Sequence, residues 1–403
     1  MRRAWAAVVV LSLAAFAFVT TELLPIGLLT LMADDLGRSR SQVGQLVSWY
    51  AVVVVVCSVP LTRITRRIPR RTLLGVTLAV FAGANLVAAL APTFGVLAGA
   101  RLLIGLAQAL FWSIAAAAVN DPFPPASRGR VVAVFSVGAA LAPVLGVPAG
   151  TWLGQQAGWR SAFAVVAVIG LAIAVAVIAL VPSYPPESGG AARGSAPDRA
   201  AFQRLVAATA LAVCGYLTFT TYVTPFLLDV TGVPSTALAP LLFVSGSVGV
   251  IGTVLVGRQL DRRPVVARLA PAAVVAVALL ALYPLGTVTV AAVALIAAAG
   301  GGYSAYAPAA QHRMLQVAPG STDMASAWLG TAFNVGIAGG SLLGGAVLPG
   351  AGARPLALIG GVLVVGALSV LIVDANPWRA SRRVRHRPPH PRDQATRPPT
   401  SRS

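Results

Sequence analysis

In residues 16–29, FAFVTTELLPIGLL, a single acid, Glu22, lies inside the first long apolar run with no base beside it. Insertion scales charge roughly 2.5–3.5 kcal/mol for an ionised side chain at mid-bilayer, so an acid at such a depth marks a candidate functional group. Pro25 and Gly27 follow it, and both loosen a membrane helix where neighbours re-satisfy the freed carbonyls. Away from the run ends, the one arginine inside an apolar run is Arg101, with Gly105 and Gln108 after it on roughly the same helical face. At ~1.5 Å per residue, Glu22 falls ~14 Å and Arg101 ~8 Å below the same membrane face, a difference that an arginine side chain spans. Two buried charges of opposite sign reduce each other's cost, so the two side chains are expected to pair. A carboxyl that moves between a low-dielectric setting, which favours the neutral form, and a guanidinium, which favours the ionised form, can carry a proton. The alternatives are a neutral Glu22 hydrogen-bonded to Thr20 or a neighbouring helix, and an Arg101 that snorkels to the interface.

Composition says what must hold these groups. The 403 residues are 57% hydrophobic and 10% charged, with a mean hydropathy of +0.82, which fits an integral membrane protein and excludes a soluble domain. All 30 basic residues are arginine and the net charge is +19. They lie in short loops and a tail rather than on an aromatic-studded face, so nucleic acid is not an expected partner. Cys57 and Cys214 fall inside apolar runs and form neither a disulfide nor a metal pattern; His312, His386 and His390 have no ligand spacing. Arg2, Arg3 and the first apolar run imitate a signal peptide, but the run is too long and is read as an uncleaved span.

Apolar runs long enough to cross a ~30 Å hydrocarbon layer as helices are placed at 4–31, 43–62, 72–91, 96–119, 131–153, 161–181, 203–228, 237–257, 269–286, 288–310, 324–348 and 354–374. The predicted fold is all-α: twelve transmembrane helices in two pseudo-symmetric six-helix bundles. Putting both termini in the cytoplasm collects 25 of the 30 arginines there and leaves Arg38, Arg40, Arg160 and Arg354 outside, as the positive-inside rule demands. The expected organisation is a first bundle over residues 1–181, a Pro/Gly/Ser-rich cytoplasmic linker over 182–202, a second bundle over 203–376 and a disordered basic tail over 377–403. The halves echo each other: Thr20-Thr21-Glu22-Leu23-Leu24-Pro25 returns as Thr220-Thr221-Tyr222-Val223-Thr224-Pro225, and Arg66-Arg67-Ile68-Pro69 as Asp261-Arg262-Arg263-Pro264. Parallel repeats with a mid-membrane site between them are a transporter arrangement.

The six-plus-six repeat with arginine-rich loops after spans 2 and 8 resembles the major facilitator superfamily. The segments TTELLPIGLL, QVGQLVSWYAVVV, RLLIGLAQALFWSI, ALAPVLGVPAGTWLGQQAGWRSAF and APGSTDMASAWLGTAFNVGIAGGSLLGG are most similar to the drug:proton antiporter branch and, within it, to bacterial sugar efflux transporters. The resemblance implies a proton-coupled exporter in the bacterial cytoplasmic membrane, with Glu22 and Arg101 in the proton relay. It also implies that Gly138, Pro143, Gly146, Pro148 and Gly150 of span 5 form the exporters' antiporter motif, with Ala142 where the usual pattern has glycine. In that motif a kinked helix seals against the other half, and the facing surface is expected on span 11 at Gly336, Gly339, Gly340, Gly344 and Gly345. The superfamily's gate motif falls on Thr62, Arg66, Arg67, Pro69, Arg70 and Arg71 without its aspartate, and its second copy on Gly257, Asp261 and Arg262. Asp121 and Asp323 are positioned to pair with those loop arginines, although plain positive-inside signalling explains them equally well.

Polar and aromatic residues inside the spans give the pocket candidates Gln108, Trp112, Tyr222, Phe226 and Asn334. Such a lining suits stacking on a sugar face as well as an amphipathic drug. Tyr222 leads them because the sequence echo puts it at the repeat position of Glu22. No Walker motif, metal cluster or catalytic constellation is present, so the chain is read as no enzyme and as needing no cofactor. The expected partners are a small molecule, protons and the bilayer, for a chain acting as a monomer. Sugar export, multidrug or chloramphenicol-type export, and import or uniport on the same scaffold all stay open at this point.

Overall fold

The computed structural model describes residues 2–65, 68–120, 123, 128–181, 195–260, 262–320 and 322–375. Arg66, Arg67, Asp121, Asp261, most of the linker and the tail from 376 lie outside the described residues. Among the described residues, twelve helices are long and apolar enough to cross a membrane. In order they are α1 (Arg2–Asp35), α2 (Arg40–Thr65), α3 (Arg70–Ala89), α4 (Phe94–Asn120), α5 (Arg128–Leu141, continued below), α6 (Trp159–Leu180), α7 (Arg199–Thr220), α8 (Leu238–Gln259), α9 (Pro264–Leu285), α10 (Thr289–Val317), α11 (Thr322–Ala351) and α12 (Arg354–Ala375). Their number and order match the apolar runs. The end that carries Arg2 is called the N-terminal face below.

Two helices depart from regularity where proline removes a backbone donor. In α5 the ladder widens into a π turn over Ala142–Gly146, around Pro143, before continuing as Val147–Ala157. A π turn is one way for a helix to absorb an interrupted ladder without ending. The run expected to cross as one helix at 203–228 instead stops at Thr220. The chain turns at Thr221 and Tyr222, then forms a short helical segment, Val223–Pro225, and a π turn, Phe226–Val230. The echoing stretch around Pro25 stays helical through Asp35. β-Branched Val223 and Thr224 stand where α1 has the better helix formers Leu23 and Leu24.

Packing repeats from half to half. In the first half α1 packs on α5 and α6, α3 on α4 and α6, and α2 on α4; in the second α7 packs on α11 and α12, α9 on α10 and α12, and α8 on α10. Each contact has its counterpart six helices later. The halves meet through α2 against α11 and α8 against α5. One apolar core lies wholly within residues 7–181, while another runs across both halves, from Leu24 to Leu371.

Glycine sets the closest approaches. Gly138 lies against the Ser12 backbone, Gly146 against Thr20, Gly150 against Leu24 and Gly154 against Leu28, so each pair is 126 residues apart (138 less 12, 154 less 28). Gly336 meets the Ala210 carbonyl, Gly340 that of Cys214 and Gly344 that of Thr218, again 126 residues apart (336 less 210, 344 less 218). A constant offset means parallel helices in fixed register, with small residues letting the backbones touch. The two ridges are themselves 198 residues apart (336 less 138, 344 less 146).

Candidate functional site

Glu22 sits near the middle of the 34-residue α1, half-buried. Its carboxylate accepts a hydrogen bond from Gln108 Nε2 of α4 at 2.8 Å, and Gln108 Oε1 accepts one from the Tyr50 hydroxyl of α2 at 2.5 Å. Arg101 packs its guanidinium over the Tyr50 ring, 4.5 Å from the centroid. It does not bridge to the carboxylate. Nη1 donates to the Thr21 carbonyl at 2.6 Å and Nη2 to the Glu22 carbonyl at 3.2 Å. The direct ion pair expected from the sequence is therefore replaced by a four-residue cluster, in which Gln108 holds the acid and Arg101 holds its backbone.

The reason lies in helix length. α1 continues to Asp35, beyond its apolar run, which lowers Glu22 to about 20 Å beneath that end at 1.5 Å per residue. Gln108 is at the same depth in α4, while Arg101 lies two turns nearer the surface. Arg101 is nonetheless only 1% exposed, and Thr20 Oγ1, Thr21 Oγ1 and Arg101 Nε around it are buried with no hydrogen-bond partner. Buried polar atoms without partners are uncommon. Here they concentrate beside the one acid in the centre of the membrane.

The pocket candidates separate. Gln108, expected to meet substrate, is 3% exposed with both ends of its amide engaged by Tyr50 and Glu22. Tyr222 is fully buried between Gly44 of α2 and Gly344 of α11, and donates to the Ser341 carbonyl at 2.9 Å. Phe226 is equally buried, edge-on to Phe219 at 5.0 Å and against Gly286. In this state neither ring lines an open space. The repeat register explains Tyr222. The packing offset of 198 sets Thr218 opposite Thr20, so Glu22 corresponds to Thr220, and the echoing TTxxxP strings are two residues out of structural register. Trp112 remains partly exposed, edge-on to Phe111 and Phe135. Asn334 of α11 is half-buried and donates to its own Gly330 carbonyl at 3.1 Å, leaving its buried Oδ1 unpartnered.

Span 11 does not face span 5. Its glycines Gly336, Gly340 and Gly344 seat α7, as Gly138, Gly146 and Gly150 seat α1. What α5 meets across the halves is α8, whose Gly246 lies against the Pro143 carbonyl. The counterpart crossing joins Ser48 of α2 to Ser341 of α11, hydroxyl to hydroxyl at 2.5 Å. Both crossings obey the same offset, Ser48 standing 198 residues before Gly246 and Pro143 198 before Ser341. Pro148 is buried at the second position of the segment after the π turn. Of the gate residues, Arg70 and Arg71 are half-buried in the first turn of α3, while Gly257 and Arg262 are exposed.

Hydrogen bonds between the halves, among the described residues, all fall away from the N-terminal face: Arg40 to Asp229, Ser41 to the Gly345 carbonyl, Ser48 to Ser341, Thr224 to the Ile26 carbonyl, and Gln155 to the Ser235 carbonyl. Toward the N-terminal face a cleft of ≈ 940 Å³ runs along α7 and α11 of the second half, lined by Phe202, Val206, Trp328, Thr331, Val335 and Arg199. The sequence reading missed Tyr50, although it lies in the quoted span 2 segment. It also missed Tyr216 and Tyr303, which stack with ring centroids 4.1 Å apart and planes 11° from parallel. No sequence period marks that pair, because it joins α7 to α10.

Twelve helices in two matched bundles, closed at one face and carrying a lone central acid, define the architecture of a secondary transporter. The chain belongs to the major facilitator superfamily, whose family model matches residues 10–322. It is 32% identical over 367 residues to a probable sugar efflux transporter of Mannheimia succiniciproducens, a match that covers 90% of this chain and 92% of the relative. Its fold is similar to that of a bacterial homolog of the human lysosomal transporter Spinster in an inward-facing, unoccupied conformation, with a TM-score of 0.72 and 18% identity, covering 92% of this chain and 96% of that one. It is also similar to the human organic anion transporter MFSD10, with a TM-score of 0.66 and 17% identity, covering 92% and 99%. The protein is a multi-pass membrane transporter, not an enzyme.

Proposed function

We propose that this protein is a proton-coupled exporter of sugars or sugar analogues that works by alternating access. The observation that carries the reading is the half-buried Glu22, held by Gln108 at 2.8 Å, with hydrogen bonds joining the halves on one side and a cleft along α7 and α11 on the other. The arginine distribution supports assigning the N-terminal face, with both termini and the 182–202 linker, to the cytoplasm. The state described is then inward-open, with residues 1–181 and 203–376 as the two rocking bundles. Glu22 takes a proton in the outward-open state and gives it up inward, where Arg101 on the neighbouring carbonyls steadies the ionised form. Rocking moves the acid between two settings of different proton affinity, and that difference couples proton entry to substrate exit. Similarity over nine-tenths of the chain to the probable sugar efflux transporter of Mannheimia succiniciproducens supports sugars as substrates, as do the Tyr216–Tyr303 platform and the free Asn334 Oδ1.

A second reading, export of amphipathic drugs, is favoured by one observation: Phe202, Val206, Trp328 and Val335 make the cleft wall largely apolar. The test is an efflux panel in a host lacking its own exporters, with labelled pentoses and thiogalactosides beside chloramphenicol-type drugs. Lower sugar accumulation in expressing cells, erased by a protonophore, supports the first reading. Lower accumulation of drugs alone supports the second, and raised accumulation contradicts export.

A further inference from the structure

A second concentration of buried charge lies far from Glu22, at the N-terminal face of the second half. Asp374, in the last turn of α12, has a side chain 6% exposed and pairs with the half-buried Arg204 of α7 at 3.0 Å, Arg313 of α10 at 2.8 Å and Arg268 of α9 at 3.4 Å. All four groups sit within two turns of their helix ends. Among the described residues no second carboxylate lies within ion-pair distance of these three arginines. One acid balances one guanidinium, and charges taken out of water are costly unless compensated. Donors also stand unused, because Arg204 Nε is buried with no hydrogen-bond partner. The first half has no equivalent: Arg70 stands 198 residues before Arg268, but alanines stand at the positions of Arg204, Arg313 and Asp374 (Ala6, Ala115 and Ala176). The cluster is therefore not a by-product of the repeat. On the same helix ends, Val266 of α9 and Ile372 and Val373 of α12 expose aliphatic surface.

We propose that Arg204, Arg268 and Arg313 form a binding site for a phosphate group, supplied by the headgroup of an anionic phospholipid whose acyl chains lie along Val266, Ile372 and Val373. Guanidinium forks match phosphate geometry and make charge-assisted bonds. Depth at the end of a spanning helix, with aliphatic surface alongside, is the setting of a lipid headgroup rather than of a solute in water. Asp374 holds the three arginines together while the site is empty and competes with the phosphate for them.

That competition makes the site testable in both directions. The protein is placed in nanodiscs of mixed phosphatidylglycerol and phosphatidylcholine, released, and examined by native mass spectrometry. The parent is expected to retain phosphatidylglycerol selectively. Arg313→Gln and Arg268→Gln should each reduce retention about tenfold, the size of one charge-assisted hydrogen bond. Asp374→Asn should increase it, and Arg258→Gln, an exposed arginine outside the cluster, should leave it unchanged. Melting temperatures confirm that each variant is folded; Arg268→Gln, with the longest link to Asp374, perturbs the cluster least. Inorganic phosphate or glycerol 1-phosphate that displaces the lipid would identify a site for free phosphate esters rather than lipid and overturn the lipid assignment. Retention without headgroup preference, or retention unmoved by both Asp374→Asn and Arg313→Gln, would overturn the site altogether.

Discussion

Arg101 donates to the carbonyl of Thr21 at 2.6 Å, and that carbonyl is the one Pro25 leaves without an intrahelical donor. In a regular helix the amide of residue 25 would bond to carbonyl 21, but proline has no N–H. The proline thus creates a strong acceptor one residue before Glu22, and the guanidinium that reaches it is fixed beside the acid. Pro25→Ala restores the donor and removes the reason for Arg101 to sit there. The variant should fold at least as stably as the parent, because proline is about 3 kcal/mol worse than alanine inside a helix. Its proton-driven transport should fall several-fold more than its substrate exchange, measured in the same proteoliposomes.

Gln108 connects Tyr50 to Glu22 with both ends of one amide. Gln108→Leu leaves two polar groups in the core without partners, at a cost of about 1–3 kcal/mol for each group left unsatisfied. Tyr50→Phe removes only the outer donor and should cost less. A double-mutant cycle of melting temperatures and uphill transport rates should therefore be non-additive. Additive effects would mean that the two contacts do not act as one chain.

The glycine ridges give a stability prediction in two halves at once. An alanine methyl at Gly138 or Gly340 would run into the backbone of Ser12 or Cys214, which cannot swing away as a side chain can. Each substitution should destabilise the purified protein by about 1–3 kcal/mol, in the range of overpacked cores. Alanine at Gly83 or Gly99, where nothing lies within 4 Å, should be neutral or slightly stabilising, since glycine is a poor helix former. Thermal melting in detergent separates the two groups.

Ser48 and Ser341 touch across the halves at 2.5 Å, on the face that opens if access alternates. Replacing both with cysteine, in a background where Cys57 and Cys214 are serine, should permit an oxidative cross-link without moving the backbone. The cross-linked protein is expected to lose transport and recover it on reduction. Full activity with the bond in place would mean that this crossing stays closed throughout the cycle.

Much of this fold is written in the apolar runs. Twelve of them, each near the length of a membrane crossing, gave the helices and their order, because a span has to be apolar along its whole length. Glu22 and Arg101 stood out for the same reason, as charges in segments that otherwise carry none. What stayed hidden depends on register and depth. The strings around Pro25 and Pro225 look equivalent, yet one remains helical and the other turns at Thr221 and Tyr222. A two-residue slip of that kind is set by packing against Gly44 and Gly344, which no local pattern records. Likewise Arg101 reads as the partner of Glu22 when α1 is ended at residue 31. The helix in fact carries Asp34 and Asp35, and that extra turn brings Gln108 level with the acid. The Asp374 cluster was invisible because its four residues come from four helix ends far apart in sequence.

The central claim is that Glu22 carries the coupled proton, and one substitution addresses it directly. Glu22→Gln keeps the size of the side chain and can still meet Gln108, but it cannot ionise. Purified and placed in proteoliposomes, the variant should fold, bind substrate and exchange it across the membrane at close to the parent's rate. With an imposed pH difference it should fail to concentrate substrate against a gradient, where the parent succeeds. Uphill transport by Glu22→Gln at the parent's rate would contradict the account and assign the acid a structural role.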